Sequence, residues 1–139
     1  MKKLISSLVL ASSLVLPQLA LAEVEVIVHP SNGATFDKDS IKRIFLGKTR
    51  AFPGGGEAVP IGLKEGTAEN QDFTKNVLSK TPKQLKAYWA KMVFTGKGTP
   101  PRQMGGTSEI LNLISANPNL IGFVPAGSAT GGVKVVGKF

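Results

Sequence analysis

Residues 59–79 read VPIGLKEGTAENQDFTKNVLS, and how they fold decides the architecture. The apolar segment 59–63 has the length and branched content of a short strand. A turn at Glu65-Gly66-Thr67 follows, and beyond it the chain is polar and helix-compatible. A strand that passes into a helix through a Gly-Thr turn leaves the first helical N–H groups unpaired and pointing outward, which suits an anion. Gly66 and Thr67 are therefore candidate anion ligands, with Lys64 adding a positive charge just before them. The same residues also make an ordinary helix start in which Thr67 is the cap and Gly66 eases the turn. The pattern is looser than a P-loop.

Upstream of this stretch, Val24, Val26 and Val28 alternate with Glu25 and Ile27 in a β-branched strand that ends at the turn Pro30-Ser31-Asn32-Gly33. Asp37 then caps a helix, with Phe36 and Ile41 placed to staple its start. Ile41, Ile44 and Phe45 form its buried face, Lys42 and Arg43 face solvent, and Gly47 stops it. The run KTRAFPGGGEA over 48–58 is loop. Downstream, Thr81-Pro82-Lys83-Gln84 is a capping box with Pro at the first helical position. Leu85, Tyr88, Trp89 and Met92 follow at i, i+3, i+4 and i+7, a spacing that reads as core rather than as a ligand platform.

Residues 95–106, TGKGTPPRQMGG, form a basic Gly- and Pro-rich loop that excludes helix and central strand. Thr107-Ser108-Glu109 opens another helix with apolar positions Ile110, Leu111 and Ile114, ended by Asn117-Pro118. Short strands are expected at 121–124 and, after a Gly-rich turn, at 133–136. Strands alternating with helices predict an α/β sheet with helices packed on its faces.

Composition narrows the function. Lys2 and Lys3, the apolar run 4–16 and the small-residue pattern Ala20-Leu21-Ala22 make a secretory leader, with cleavage expected after Ala22 and one domain over 23–139. The apolar run is short for a membrane span and is followed by Pro17, so no integral span is expected after cleavage. Losing Lys2 and Lys3 takes the basic residues from 17 to 15 against 9 acidic ones, a net charge of +6. That excess, scattered along the chain, favours anionic partners, while export and the lack of aromatics interleaved with basic residues argue against nucleic acid. The chain has no cysteine and a single histidine, His29. Disulfides, thiolate metal sites and a cysteine nucleophile are excluded, one imidazole makes no metal centre, and no paired carboxylates stand at a catalytic spacing, so neither metal, cofactor nor enzymatic activity is expected.

Two helix starts of similar chemistry emerge, Gly66-Thr67 and Gly105-Gly106-Thr107-Ser108. Both combine free N–H groups, hydroxyls and glycine, and in an open α/β sheet helix starts that follow strand ends gather at the ligand edge. Thr107 and Ser108 thus join the candidate set. Lys97 and Arg102 lie nearby in sequence, and Arg102 offers a bidentate fork to an oxyanion. Glu65 and Glu69, at i and i+4 across a helix start, favour the helix dipole.

The string Ile44-Phe45-Leu46-Gly47-Lys48, the strand at Val59, the Gly66-Thr67 helix start with Phe73 beyond it, the Tyr88-Trp89 helix, and Asn117-Pro118 leading to Ile121-Gly122-Phe123-Val124 keep a recognisable order. In that order they resemble the phosphate-binding proteins of ABC transporters, and in particular the small, PstS-like secreted proteins that comprise one lobe. The resemblance implies one lobe of the type 2 periplasmic binding protein fold, a mixed sheet with helices on both faces, in a non-catalytic periplasmic or secreted protein. It implies inorganic phosphate or a similar oxyanion as ligand and an ABC permease or other envelope protein as partner. In the two-lobed family a Gly-Ser-Gly-Thr helix start, with an Arg and an Asp just before it, binds the phosphate. Gly66 and Thr67 match its final Gly-Thr, but Glu65 stands in the place of the Ser, and neither Arg nor Asp occurs among Ile61, Gly62, Leu63 and Lys64. A carboxylate at the mouth and a single lobe both predict weak binding, or binding completed by a partner or a second copy; loss of the ligand in favour of protein–protein interaction is the alternative.

Overall fold

The structure is a computed structural model that describes residues 23–139, so the leader expected at 1–22 lies outside the described residues. Along the chain come β1 (Val24–Val28), α1 (Lys38–Phe45), β2 (Val59–Leu63), α2 (Ala68–Asn76), α3 (Pro82–Phe94), β3 (Arg102–Met104), α4 (Thr107–Ala116), β4 (Leu120–Pro125) and β5 (Lys134–Lys138). The strands form one mixed sheet in the order β3-β2-β4-β1-β5. β2 runs parallel to both β3 and β4, whereas β1 is antiparallel to β4 and β5.

Local chemistry sets the helix boundaries. The Asp37 carboxylate accepts the Ser40 N–H at 2.7 Å while the Ser40 hydroxyl oxygen accepts the Asp37 N–H at 3.0 Å, which closes a capping box on α1. Gly47, at φ 69°, takes the left-handed conformation that ends this helix. Thr81 and Gln84 close a second box on α3, with Pro82 in its first turn. The apolar stripe of α3 faces inward: Trp89 is buried, Leu85 and Tyr88 pack against the core, and the Tyr88 hydroxyl donates to the Leu46 carbonyl at 2.6 Å.

Helices cover both faces of the sheet. A Cβ on Gly122 of β4 would meet Ile114 at 2.9 Å and Ile110 at 3.1 Å, which places α4 directly on that face. On the opposite face Phe123 stacks on Phe73 of α2, with centroids 4.1 Å apart, and also meets Phe45 of α1. α3 packs outside α2.

One expectation is corrected here. The run 95–106 is not wholly loop, because Arg102, Gln103 and Met104 pair in parallel with Ile61, Gly62 and Leu63 as an edge strand. Three residues after two prolines carry no periodicity, and an edge position asks for none. All five residues of β1 are buried, Glu25 included, because the strand lies between β4 and β5 under helices. The last strand lies at Lys134–Lys138, slightly beyond the expected 133–136.

Candidate functional site

Because β2 and β3 are parallel neighbours with Leu63 beside Met104, their carboxyl ends lie at one edge of the sheet. The chain leaves β2 for α2 on the Phe123 face and leaves β3 for α4 on the Gly122 face. Connections that depart to opposite faces from adjacent strands leave a crevice outside the strand ends, the usual ligand position in an open α/β sheet. Lys64, Gly66 and Thr67 on one side and Thr107 and Ser108 on the other are thereby brought to a single edge, each set at a helix N-terminus.

The α2 tip is held by its own turn. Gly66 has φ 86°, a left-handed value that turns the chain from strand to helix. The Thr67 hydroxyl donates to the Lys64 carbonyl at 2.9 Å and accepts the Asn70 N–H at 3.2 Å. The Asn70 side-chain amide donates to the Leu63 carbonyl at 2.8 Å, tying the helix to the end of its strand. The amides of Ala68 and Glu69 have no partner among the described residues. Lys64, Glu65 and Gly66 are exposed.

The α4 tip is built differently. Its cap is Gly106, with no side-chain cap, so Thr107 and Ser108 begin the helix instead of capping it. Thr107 is half-buried and Ser108 exposed. Glu109 reaches back so that its carboxylate accepts the Gly105 N–H at 2.8 Å. An internal anion therefore already sits at the start of α4, where the helix dipole favours negative charge. Sequence alone read Glu109 only as part of the helix start. Its place at the third helical position after Gly105-Gly106 was the available signal, since that position reaches the backbone before the cap.

Arg102 is placed apart from these groups. It lies at the start of β3 beside Ile61, exposed, and lines a cavity of about 380 Å³ with Thr49, Arg50, Glu57 and Trp89 near the beginning of β2. A smaller cavity of about 70 Å³, on the α2 side of the edge, is lined by Glu65, Asn70, Phe73 and Gln103. Asn70 and Gln103 escaped the sequence reading because the role of each depends on pairing between distant segments. His29 is a strand-end residue whose Nδ1 bonds the Ser31 hydroxyl at 2.7 Å. Among the described residues no group of three acidic or histidine side chains is arranged to hold a metal, and no helix is long and apolar enough to cross a membrane.

No family model and no curated protein sequence matches this chain. Solved structures do. An ABC-type phosphate transport receptor from Vibrio cholerae superposes with TM-score 0.63 at 14% identity, covering 84% of this chain and 46% of that one. A Clostridium perfringens structure with bound phosphate, assigned to the phosphate ABC transporter substrate-binding proteins, gives 0.62 at 17% identity over 83% of this chain and 44% of its own. PstS from Borrelia burgdorferi gives 0.62 at 13% identity over 83% and 46%. The chain thus spans less than half the length of each. At these identities the likeness is one of fold, and the α/β architecture is that of a single lobe of a phosphate-binding protein.

Proposed function

We propose that this chain is a non-catalytic, exported oxyanion-binding protein that takes phosphate between the N-termini of α2 and α4. The observation that carries this reading is the convergence of the two helix tips at the carboxyl edge of β2 and β3, on connections that leave to opposite faces. Phosphate would accept from the Ala68 and Glu69 amides on one side and the Thr107 and Ser108 amides on the other, with Lys64 as a point charge. Gly66 allows the close approach. The fold likeness to receptors that include one solved with bound phosphate supports the ligand class. Receptors of that kind suggest a periplasmic location and an ABC permease or other envelope protein as the docking partner.

Weak affinity follows from the charges at the mouth. Glu65 and Glu69 flank the α2 tip and Glu109 occupies the α4 tip. Isothermal titration of a chain beginning at Glu23 with phosphate and with sulfate tests the reading. Saturable heat at millimolar phosphate, lost in Gly66→Asp, supports it; no saturable heat overturns it.

One observation favours a second reading, an envelope interaction module on the same scaffold. Both tips carry internal substitutes for a ligand, the Glu109 carboxylate at α4 and the Thr67 hydroxyl, whose proton is committed to Lys64. Capture of an envelope protein that survives Thr67→Asp, together with a flat phosphate titration, selects this reading.

A further inference from the structure

The positive charge is distributed unevenly over the fold. Between Phe73 and Ser108 stand 7 basic residues and no acidic one, whereas the rest of the described chain has 8 basic against 9 acidic residues. The whole net charge of +6 therefore arises from the C-terminal half of α2, from α3 and from the edge strand β3. The ion pairs among the described residues, Arg43–Asp39 and Lys138–Glu25, use none of these seven cations.

α3 concentrates this charge on one side. Its core-facing stripe is Leu85, Tyr88, Trp89 and Met92, and the helical period turns Lys83, Ala87, Ala90 and Phe94 directly outward with Lys86 and Lys91 on the two flanks. All six outward residues are exposed, Phe94 to 92%, and Val93 beside it to 53%. Lys97, also exposed, follows just past the helix end. A row of lysines flanking small residues and ending in a projecting phenylalanine is the chemistry of a helix that lies on an anionic bilayer: ammonium groups at headgroup level and an aromatic ring sunk among the acyl chains.

We propose that the outward face of α3 docks on an anionic lipid surface, with Lys83, Lys86, Lys91 and Lys97 on the headgroups and Phe94 as the inserted side chain. Charge complementarity chooses the occupant. The four cations here are all lysines, point charges spread from the first turn of α3 to just past its end, which suits a diffuse anionic plane better than the discrete carboxylates of a folded protein. The face belongs to α3 rather than to the helix tips, so a negative phosphate titration leaves this inference standing.

The test is vesicle flotation with a chain beginning at Glu23, which carries every strand, helix and core residue described, its folding checked by circular dichroism. Binding to phosphatidylcholine vesicles containing phosphatidylglycerol is expected, with none to pure phosphatidylcholine and strong weakening from about 0.05 M to about 0.5 M salt. Lys83→Glu/Lys86→Glu/Lys91→Glu should lower partitioning by roughly 100-fold or more and Phe94→Ser by roughly 10-fold. Lys38→Glu/Lys48→Glu/Arg50→Glu, equal in net charge but elsewhere on the fold, should weaken it far less. Equal loss in the two charge variants, or no binding to the anionic vesicles at low salt, overturns the proposal. So does an unchanged Phe94→Ser, which would leave the lysines as a purely electrostatic contact with no inserted side chain.

Discussion

The Thr67 hydroxyl has one proton and donates it to the Lys64 carbonyl, so toward a ligand it acts only as an acceptor and serves mainly as the α2 cap. Thr67→Ala should cost about 1 kcal/mol of stability in urea unfolding, the usual loss of a helix cap, and should weaken phosphate little, because the amides and not the hydroxyl would carry the contact. Glu65 acts in the opposite sense. A carboxylate one residue before Gly66 repels an incoming oxyanion by about 1 kcal/mol at 4 Å in water-like surroundings. Glu65→Gln should therefore tighten phosphate binding by about fivefold in titration calorimetry, and unchanged affinity would place the ligand elsewhere. Asp37 supplies a residue-level pH dependence. The Ser40 N–H, then the Ser40 hydroxyl, hold its carboxyl below its ordinary value of 3.8. A carboxyl whose pKa is depressed on folding contributes stability above its unfolded pKa and loses it as pH falls through the folded one. Wild-type stability should therefore decline below about pH 4 more steeply than that of Asp37→Asn in acid unfolding curves.

At the scale of elements, caps and packing glycines decide how the pieces seat. Gly122 lets α4 lie on β4: a Cβ there would meet Ile114 at 2.9 Å, Ile110 at 3.1 Å and Ile61 at 3.2 Å. Gly122→Ala should destabilise the protein by about 1–3 kcal/mol through overpacking, measured by denaturant unfolding. A loss below that range would mean that the isoleucine ends swing aside. The same scale explains what sequence reveals. α1 and α3 were legible to their first residues because the Asp37 cap with its Phe36 and Ile41 staple, and the Thr81-Gln84 box, write the boundary in side-chain chemistry. β3 was not, since three parallel edge residues take their conformation from β2 and not from their own pattern. The burial of Glu25 has a related cause: neighbours that are distant in sequence cover both faces of β1, leaving the carboxylate with the Gly127 N–H at 3.1 Å and Lys138 at 3.6 Å. Of the candidate site, both helix tips were legible from Gly-Thr and Gly-Gly-Thr-Ser. The position of Arg102 away from them was not, because it depends on the register between β2 and β3.

For the molecule as a whole, the decisive fact is that the chain corresponds to less than half of each receptor it superposes on. An oxyanion leaving water gives up hydration on all sides, and tight capture needs donors on all sides to replace it. One lobe offers amides from two helix tips along a single sheet edge and leaves the remaining directions to solvent. Millimolar affinity, about −4 kcal/mol, is therefore the scale expected of the proposed site. Linkage converts that into a stability signal: phosphate at about ten times its Kd should stabilise the folded chain by about 1.4 kcal/mol, a rise in Tm of roughly 6 °C for a domain of this size. Sodium chloride at matched ionic strength screens the repulsion among the α3 lysines as phosphate buffer does, so it is the control that isolates specific occupancy. A melting temperature that climbs with phosphate and levels off, while the chloride series stays several degrees lower, is the expected result. Coincident curves would mean that only screening acts, and the helix tips would then be capped ends of a scaffold and not a receptor's half-site.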